Sequence, residues 1–274
     1  MSAIGTGGVA DSRVQDICRA IGWIGLGLVA VTVSLSDLLA AAPADATGIG
    51  PLLSPPSTAF QLGTDILGRD MLSETLHGLN ATVRTALPAS IIALSFGALA
   101  GFSAARMPAP LAFGLRWLAD IFAALPTLLL AVLIVGLTAR SWLGVAAGLA
   151  ATPYGFVHAF DRARRDAYAA HAEYARATGL SRTALLRRDL VYEFRAVLSA
   201  SAARALASVT IILSTLSFFG FGAEPPQRDL GLMIAASRPY FLHAWWTAAY
   251  PALALMTFIL FARLAAGLEE SEPP

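Results

Sequence analysis

The stretch Tyr168–Arg195, YAAHAEYARATGLSRTALLRRDLVYEFR, is a polar, arginine-rich interruption between two long apolar segments. Eight arginines lie between Arg162 and Arg195. A bilayer core does not accept such a density of charge, because each guanidinium at its centre costs at least about 2.5 kcal/mol. The stretch therefore lies beside a membrane, and its excess of arginine assigns it to the cytoplasmic face. That reading makes the chain a polytopic membrane protein and orients everything around it. Residues Arg164–Thr178 are Ala-rich, as a helix favours. Gly179 permits a sharp break, and Ser181 is suited to cap a second short helix. Two small helices meeting at an angle on the membrane surface are expected.

Composition agrees. The 274 residues are 57% hydrophobic and 14% charged, with a mean hydropathy of +0.66. A soluble domain carries about 25% charged residues. All 19 basic residues are arginine. A P-loop needs its lysine, so this chain is not itself a Walker-type ATPase. Cys18 stands alone, which excludes an intrachain disulfide. With four His and one Cys, no metal site is expected. The sequence has no HExxH, no GxSxG, no paired intramembrane carboxylates and no DNA-binding motif. Neither catalytic nor cofactor-binding residues are expected, and nucleic acid is not a partner.

A membrane-crossing helix needs about 20 mostly apolar residues. Six such segments are read, at roughly 20–41, 86–105, 116–139, 141–160, 196–221 and 245–268. Arg13, Arg19, Arg106, Arg116 and the eight arginines of 162–195 then share one side. Arg69, Arg84, Arg140, Arg228 and Arg238 fall on the other. The asymmetry places both termini in the cytoplasm and residues 43–80 and 222–244 outside. Ala40-Ala41-Ala42-Pro43-Ala44 has the look of a signal-peptidase site, but the apolar stretch before it is longer than a usual signal core. An uncleaved first helix is expected. Gly97-x-x-x-Gly101 and Gly144-x-x-x-Gly148 have the spacing of close helix contacts in lipid. Pro88, Pro126, Pro153 and Pro251 lie inside the expected spans and read as tolerated kinks.

Four motifs carry a family resemblance. Leu62–Ser73 reads LGTDILGRDMLS and resembles the GTDxLGRDxxS signature of the second permease subunit of dipeptide, oligopeptide and nickel ABC importers. Gly63 and Gly68 suit tight turns. Asp65, Arg69 and Asp70 can form an ion-pair cluster, and Asp70 or Ser73 can cap the next helix. With Thr64 these residues make either a structural lid or a docking surface for a substrate-binding protein. Asp120–Leu130 resembles the family's DxxxAxPxLLLA stretch, and Asp120 is expected to pair with Arg116 four residues earlier. Leu216–Gly222, Pro225-Pro226, Leu230–Ile234, Trp245-Trp246 and Pro251 resemble the family's LSFLGLG…PP…WGLML…WW…P sequence, with Leu230 where the family usually has Trp. The loop holding these residues is expected to form a turn and a short interfacial helix, and the two tryptophans fit an aromatic belt.

The fourth motif is Glu173-Tyr174-Ala175 followed by Gly179 and Leu180, which resembles the cytoplasmic EAA loop of such permeases. Tyr174 replaces the family's first Ala, and Tyr192 stands where the family motif usually ends in Pro.

The resemblance runs from about residue 20 to residue 268. It implies an all-α polytopic protein with six transmembrane helices and the type I ABC importer permease fold. Residues 1–80 would be an N-terminal segment with the first helix and a periplasmic stretch. Residues 81–274 would be the permease transmembrane domain containing the coupling loop 162–195. The implied partners are a homologous second permease, two ABC ATPases carrying ATP and Mg, a periplasmic or lipid-anchored substrate-binding protein, and membrane lipid. The implied location is the bacterial inner membrane. Peptides, nickel, opines and some sugars are carried within the family. A self-contained secondary transporter is the contrasting reading; it would show ion-coupling residues or inverted repeats.

Overall fold

The computed structural model describes residues 7–43, 46–138, 142–168, 201–222 and 228–267. These are almost entirely helical. Helix α1 is Gly7–Ser34, α2 Ser36–Leu39, α3 Met71–Ala105, α4 Ala109–Ala124, α5 Thr127–Leu137 and α6 Leu143–Tyr168. Helix α7 is Ser201–Phe221, closing on a π-turn at Ser217–Phe221. Helix α8 is Leu230–Ala236, and α9 is Trp246–Ala266. Among the described residues the only bridge between extended segments joins Thr64 and Asp70.

Glycine contacts fix the directions of the helices. A Cβ on Gly148 would lie 2.6 Å from the Ala89 carbonyl, and one on Gly101 would lie 2.3 Å from the Phe156 carbonyl. Rising numbers on α3 thus meet rising numbers on α6, so the two helices run parallel. Both glycine pairs read in the sequence sit in this one seam, joined by Gly155, which faces Gly97. Small residues are what let two backbones approach so closely. Two parallel neighbours require the chain between them to return, so 109–137 crosses the bundle once. By the same logic α9 runs antiparallel to α1, because Gly22 abuts Ala265 and Gly25 abuts Phe261. The described helices therefore run along the bundle six times, five of them as single helices long and apolar enough to cross a membrane and one as the bent pair α4–α5. The end carrying residues 46–70 is called the head here, and the opposite end the foot. α1 begins, α6 ends, α7 begins and α9 ends at the foot.

Two expected spans need correction. The third, expected as one helix over 116–139, is two helices bent by 92°. Leu125 turns extended (φ −70°, ψ 138°) before Pro126. A residue preceding proline is pushed out of the helical region, and proline has no N–H to continue the ladder. Pro88, Pro153 and Pro251 lie inside continuous helices, as expected. The second span begins at Met71, well before 86, and is 35 residues long. Its early turns carry Thr75, Asn80 and Thr82, which lower the hydropathy but are buried and hydrogen-bonded. Position 80 therefore lies inside α3.

The expected short helix is α8, and it packs into the bundle. Leu230 is fully buried, and a Cβ on Gly231 would lie 2.4 Å from the Ser214 carbonyl. Trp245 is half-exposed and fits an aromatic belt, whereas Trp246 is buried and donates to the Thr64 carbonyl at 3.1 Å.

Candidate functional site

The signature segment 62–73 builds the head. Gly63 (φ +78°) and Gly68 (φ +66°) both adopt the left-handed conformation. At each a Cβ would collide with a carbonyl, Ser54 at 2.6 Å and Gly50 at 2.4 Å. These two turns fold the segment back on itself. The Met71 N–H then reaches the Gly63 carbonyl at 3.0 Å, and the Asp65 N–H reaches the Arg69 carbonyl at 3.1 Å. The Thr64 hydroxyl accepts from the Ser54 N–H at 2.8 Å. Asp65 Oδ1 accepts from the N–H groups of Leu67 (2.7 Å) and Arg69 (2.9 Å). Asp70 caps α3, its Oδ2 accepting from the Ser73 N–H and hydroxyl at 2.9 and 2.7 Å. The cap is Asp70, and Ser73 is its donor inside the helix.

The ion cluster differs from the one expected. Asp65 Oδ2 lies 4.0 Å from Arg69 Nε, but Asp70 is occupied with its cap. The remaining members are Glu74 on α3, 3.4 Å from Arg69, and Arg228 ahead of α8. Arg228 Nη1 lies 3.5 Å from Asp65 and 3.7 Å from Glu74. Two carboxylates and two guanidiniums cancel, so the cluster is neutral. Asp65, Arg69 and Glu74 are each under 9% exposed. Removing one member of a buried pair leaves an uncompensated charge. The adjoining cavity, lined by Asp65, Glu74, Arg228, Ser237 and Thr247, measures about 30 Å³. That is room for a water or two, far short of a peptide.

The signature polar side chains are thus turned inward, although Asp65 Oδ2 and Arg69 Nε, 4.0 Å apart, have no hydrogen-bond partner. Of this segment, Ile66 and Leu67 present the larger apolar surfaces, at 38% and 41% exposure. Arg228 escaped the sequence reading because its partners are remote in the chain, and Glu74 because it lies five residues from Arg69, across the turn into α3.

At the foot, Arg116 pairs with Asp120, as expected. It also grips Asp161 of α6 in a fork, Nε to Oδ1 and Nη2 to Oδ2, both at 3.1 Å. Asp161 was missed; its signal was a lone carboxylate at the foot of the fourth span. The coupling residues Glu173, Tyr174, Ala175, Gly179 and Leu180 lie outside the described residues, as do Pro225 and Pro226.

Residues 93–270 match the family described as binding-protein-dependent transport system inner membrane component. The chain belongs to that family. Its relatives agree. It is 32% identical over 235 residues to the di/tripeptide transport system permease protein DppC of Pseudomonas aeruginosa, covering 81% of this chain and 77% of that protein. It is 32% identical over 220 residues to the peptide transport system permease protein SapC of Haemophilus influenzae, covering 77% and 75%. The dipeptide transport system permease protein DppC of the same organism is 26% identical over 272 residues, covering 95% of this chain and 91% of that protein. As a member of the family, the chain is a transport permease subunit and not an enzyme. The family also accounts for the all-α, multi-pass architecture.

Proposed function

We propose that this permease carries di- or oligopeptides across the bacterial inner membrane as the second permease of an ABC importer. It pairs with a homologous permease, two ATPases that hold ATP and Mg, and a periplasmic or lipid-anchored binding protein. Both termini lie in the cytoplasm, and the head faces outward. Closure of the ATPases pushes the loop 162–195 through Glu173, Tyr174, Ala175, Gly179 and Leu180, and the helices respond by alternating access. Gly63, Thr64, Asp65, Gly68, Arg69 and Asp70 form a lid that ties the head together.

One observation carries this reading. The parallel pairing of α3 and α6 brings the end of α6 to the foot, and the start of α7 lies there too, with Ala203 packed on Ala265 and Ala266 at the end of α9. A loop that leaves and returns at one face is positioned to receive a push from that side. The substrate class rests on the peptide permeases named above.

The test is uptake of a labelled dipeptide by proteoliposomes holding the whole complex. Glu173→Lys reverses a charge in the interface, where like charges cost several kcal/mol. Gly179→Val adds a β-branched side chain where the chain is expected to break sharply. Both variants should insert, assemble with the second permease and lose peptide-stimulated ATP hydrolysis or the ATPase itself. Transport at the wild-type rate by both would remove the coupling assignment.

A further inference from the structure

We propose that α4 and α6 move as one rigid arm, with Arg116 and Asp161 as the positioning residues that hold it together. A displacement at the stretch 162–195, whose first residues, 162–168, are the last turns of α6 and not loop as expected, would thereby reach the elbow at Leu125–Pro126. The proposal rests on the reading of that loop as the coupling element.

Three contacts run along the arm. The Arg164 guanidinium lies 5.3 Å from the Phe113 ring. Asp161 takes the fork from Arg116 at 3.1 Å. The Tyr154 hydroxyl donates to the Ala123 carbonyl at 3.3 Å. On α4 these positions advance by three and then seven residues, and on α6 they retreat by three and then seven. The two helices are therefore in constant antiparallel register along one face. Sliding either by a turn would break all three contacts together.

The joint beyond the arm is different. At Leu125 the backbone turns extended, and α5 departs at 92°. No side chain caps the start of α5, where Pro126 takes the N-cap position. The stiff element thus spans from the foot of α6 to Ala123, and the discontinuity follows at once. Asp161 lies seven residues before Tyr168, after which the loop leaves α6. A push delivered there acts on α6, and the fork delivers it to α4. Motion is then released where the ladder is already interrupted.

The test uses the whole transporter in proteoliposomes, with Cys18→Ser as the background and labelled dialanine as the substrate. In the double variant Arg116→Cys with Asp161→Cys, dipeptide moved per ATP hydrolysed should fall about tenfold, the scale of a lost charged hydrogen bond. Joining the two thiols with a short bifunctional reagent should restore the ratio. Asp161→Asn should fall similarly, while Asp161→Glu should retain most of the coupling. A merely structural role would lower assembly, read by size-exclusion, without changing the ratio in the assembled fraction. If crosslinking abolishes transport, the helices must slide and the arm is wrong. If Asp161→Asn couples normally while Glu173→Lys does not, the arm is wrong and the loop reading stands. If Glu173→Lys and Gly179→Val both couple normally, the loop reading falls and takes the arm with it.

Discussion

The head and the foot of the bundle each carry an ion cluster, and the two are built for different work. At the head, Asp65, Arg69 and Glu74 are buried, neutralised with Arg228, and drawn from three separate segments. At the foot, Arg116 bridges Asp120 and Asp161, whose side chains are 51% and 41% exposed, and only one pair of helices is involved. Burial decides what each can do. A buried charge cannot lose its partner without a large penalty, so the head cluster is a fixed clamp. A half-exposed pair is screened and contributes little to stability, so the foot cluster can carry direction and register at small cost to the fold.

Mutations that cut both clusters break or sharpen this contrast. The largest effect is expected from Arg69→Met, which leaves two buried carboxylates, Asp65 and Glu74, sharing Arg228 alone. It should cost about 3–5 kcal/mol, read as a large drop in the unfolding temperature of the detergent-purified protein. A loss no greater than at the foot would erase the distinction. Next comes the seam that joins the two ends. Gly101→Leu places a side chain against the Phe156 carbonyl and should cost about 1–3 kcal/mol or more by overpacking, measured in the same melt.

Trp246→Phe keeps an aromatic ring, though one smaller than the buried indole, and removes the donor to the Thr64 carbonyl. A loss of about 1 kcal/mol or more is expected, with the segment 64–70 opening ahead of the helices in hydrogen exchange. The smallest effect is expected at the foot itself. Asp120→Asn should change stability by about 0.5 kcal/mol or less, since Arg116 keeps its fork on Asp161. A melt shift equal to that of Arg69→Met would show the foot to be a clamp as well.

The sequence made two members of each cluster legible. Asp65 with Arg69 and Arg116 with Asp120 are neighbours at four residues, a spacing that local reasoning reads directly. Arg228 and Asp161 are brought in by packing, which no local window sees, while Glu74 meets Arg69 five residues earlier only because the chain turns between them. The broken span shows the opposite limit. Pro126 was visible, but apolar composition runs through it without interruption, and hydropathy registers composition while ignoring the backbone. The early start of α3 was hidden because Asn80 and Thr82 look like loop residues until Ser36 and the backbone of Leu230 are found beside them. The two glycine pairs were read as contact motifs, yet their shared seam depended on Gly155, which completes no such pair with either.

The elbow at Leu125–Pro126 also has a consequence for the order of assembly. Helix α4 has 16 residues and α5 has 11, so at 1.5 Å per residue they measure about 24 and 16 Å, each shorter than a hydrocarbon core of about 30 Å. Neither piece is long enough to cross alone; only taken together are they long and apolar enough to be one span. Insertion machinery that weighs apolar length therefore receives 109–137 as a single unit. The bend exposes backbone carbonyls that lipid cannot satisfy, and the hydroxyl that meets one of them, Tyr154, belongs to α6. That helix is synthesised later. The third crossing is thus an unfinished structure when it first enters the bilayer, completed only by a segment the ribosome has yet to deliver.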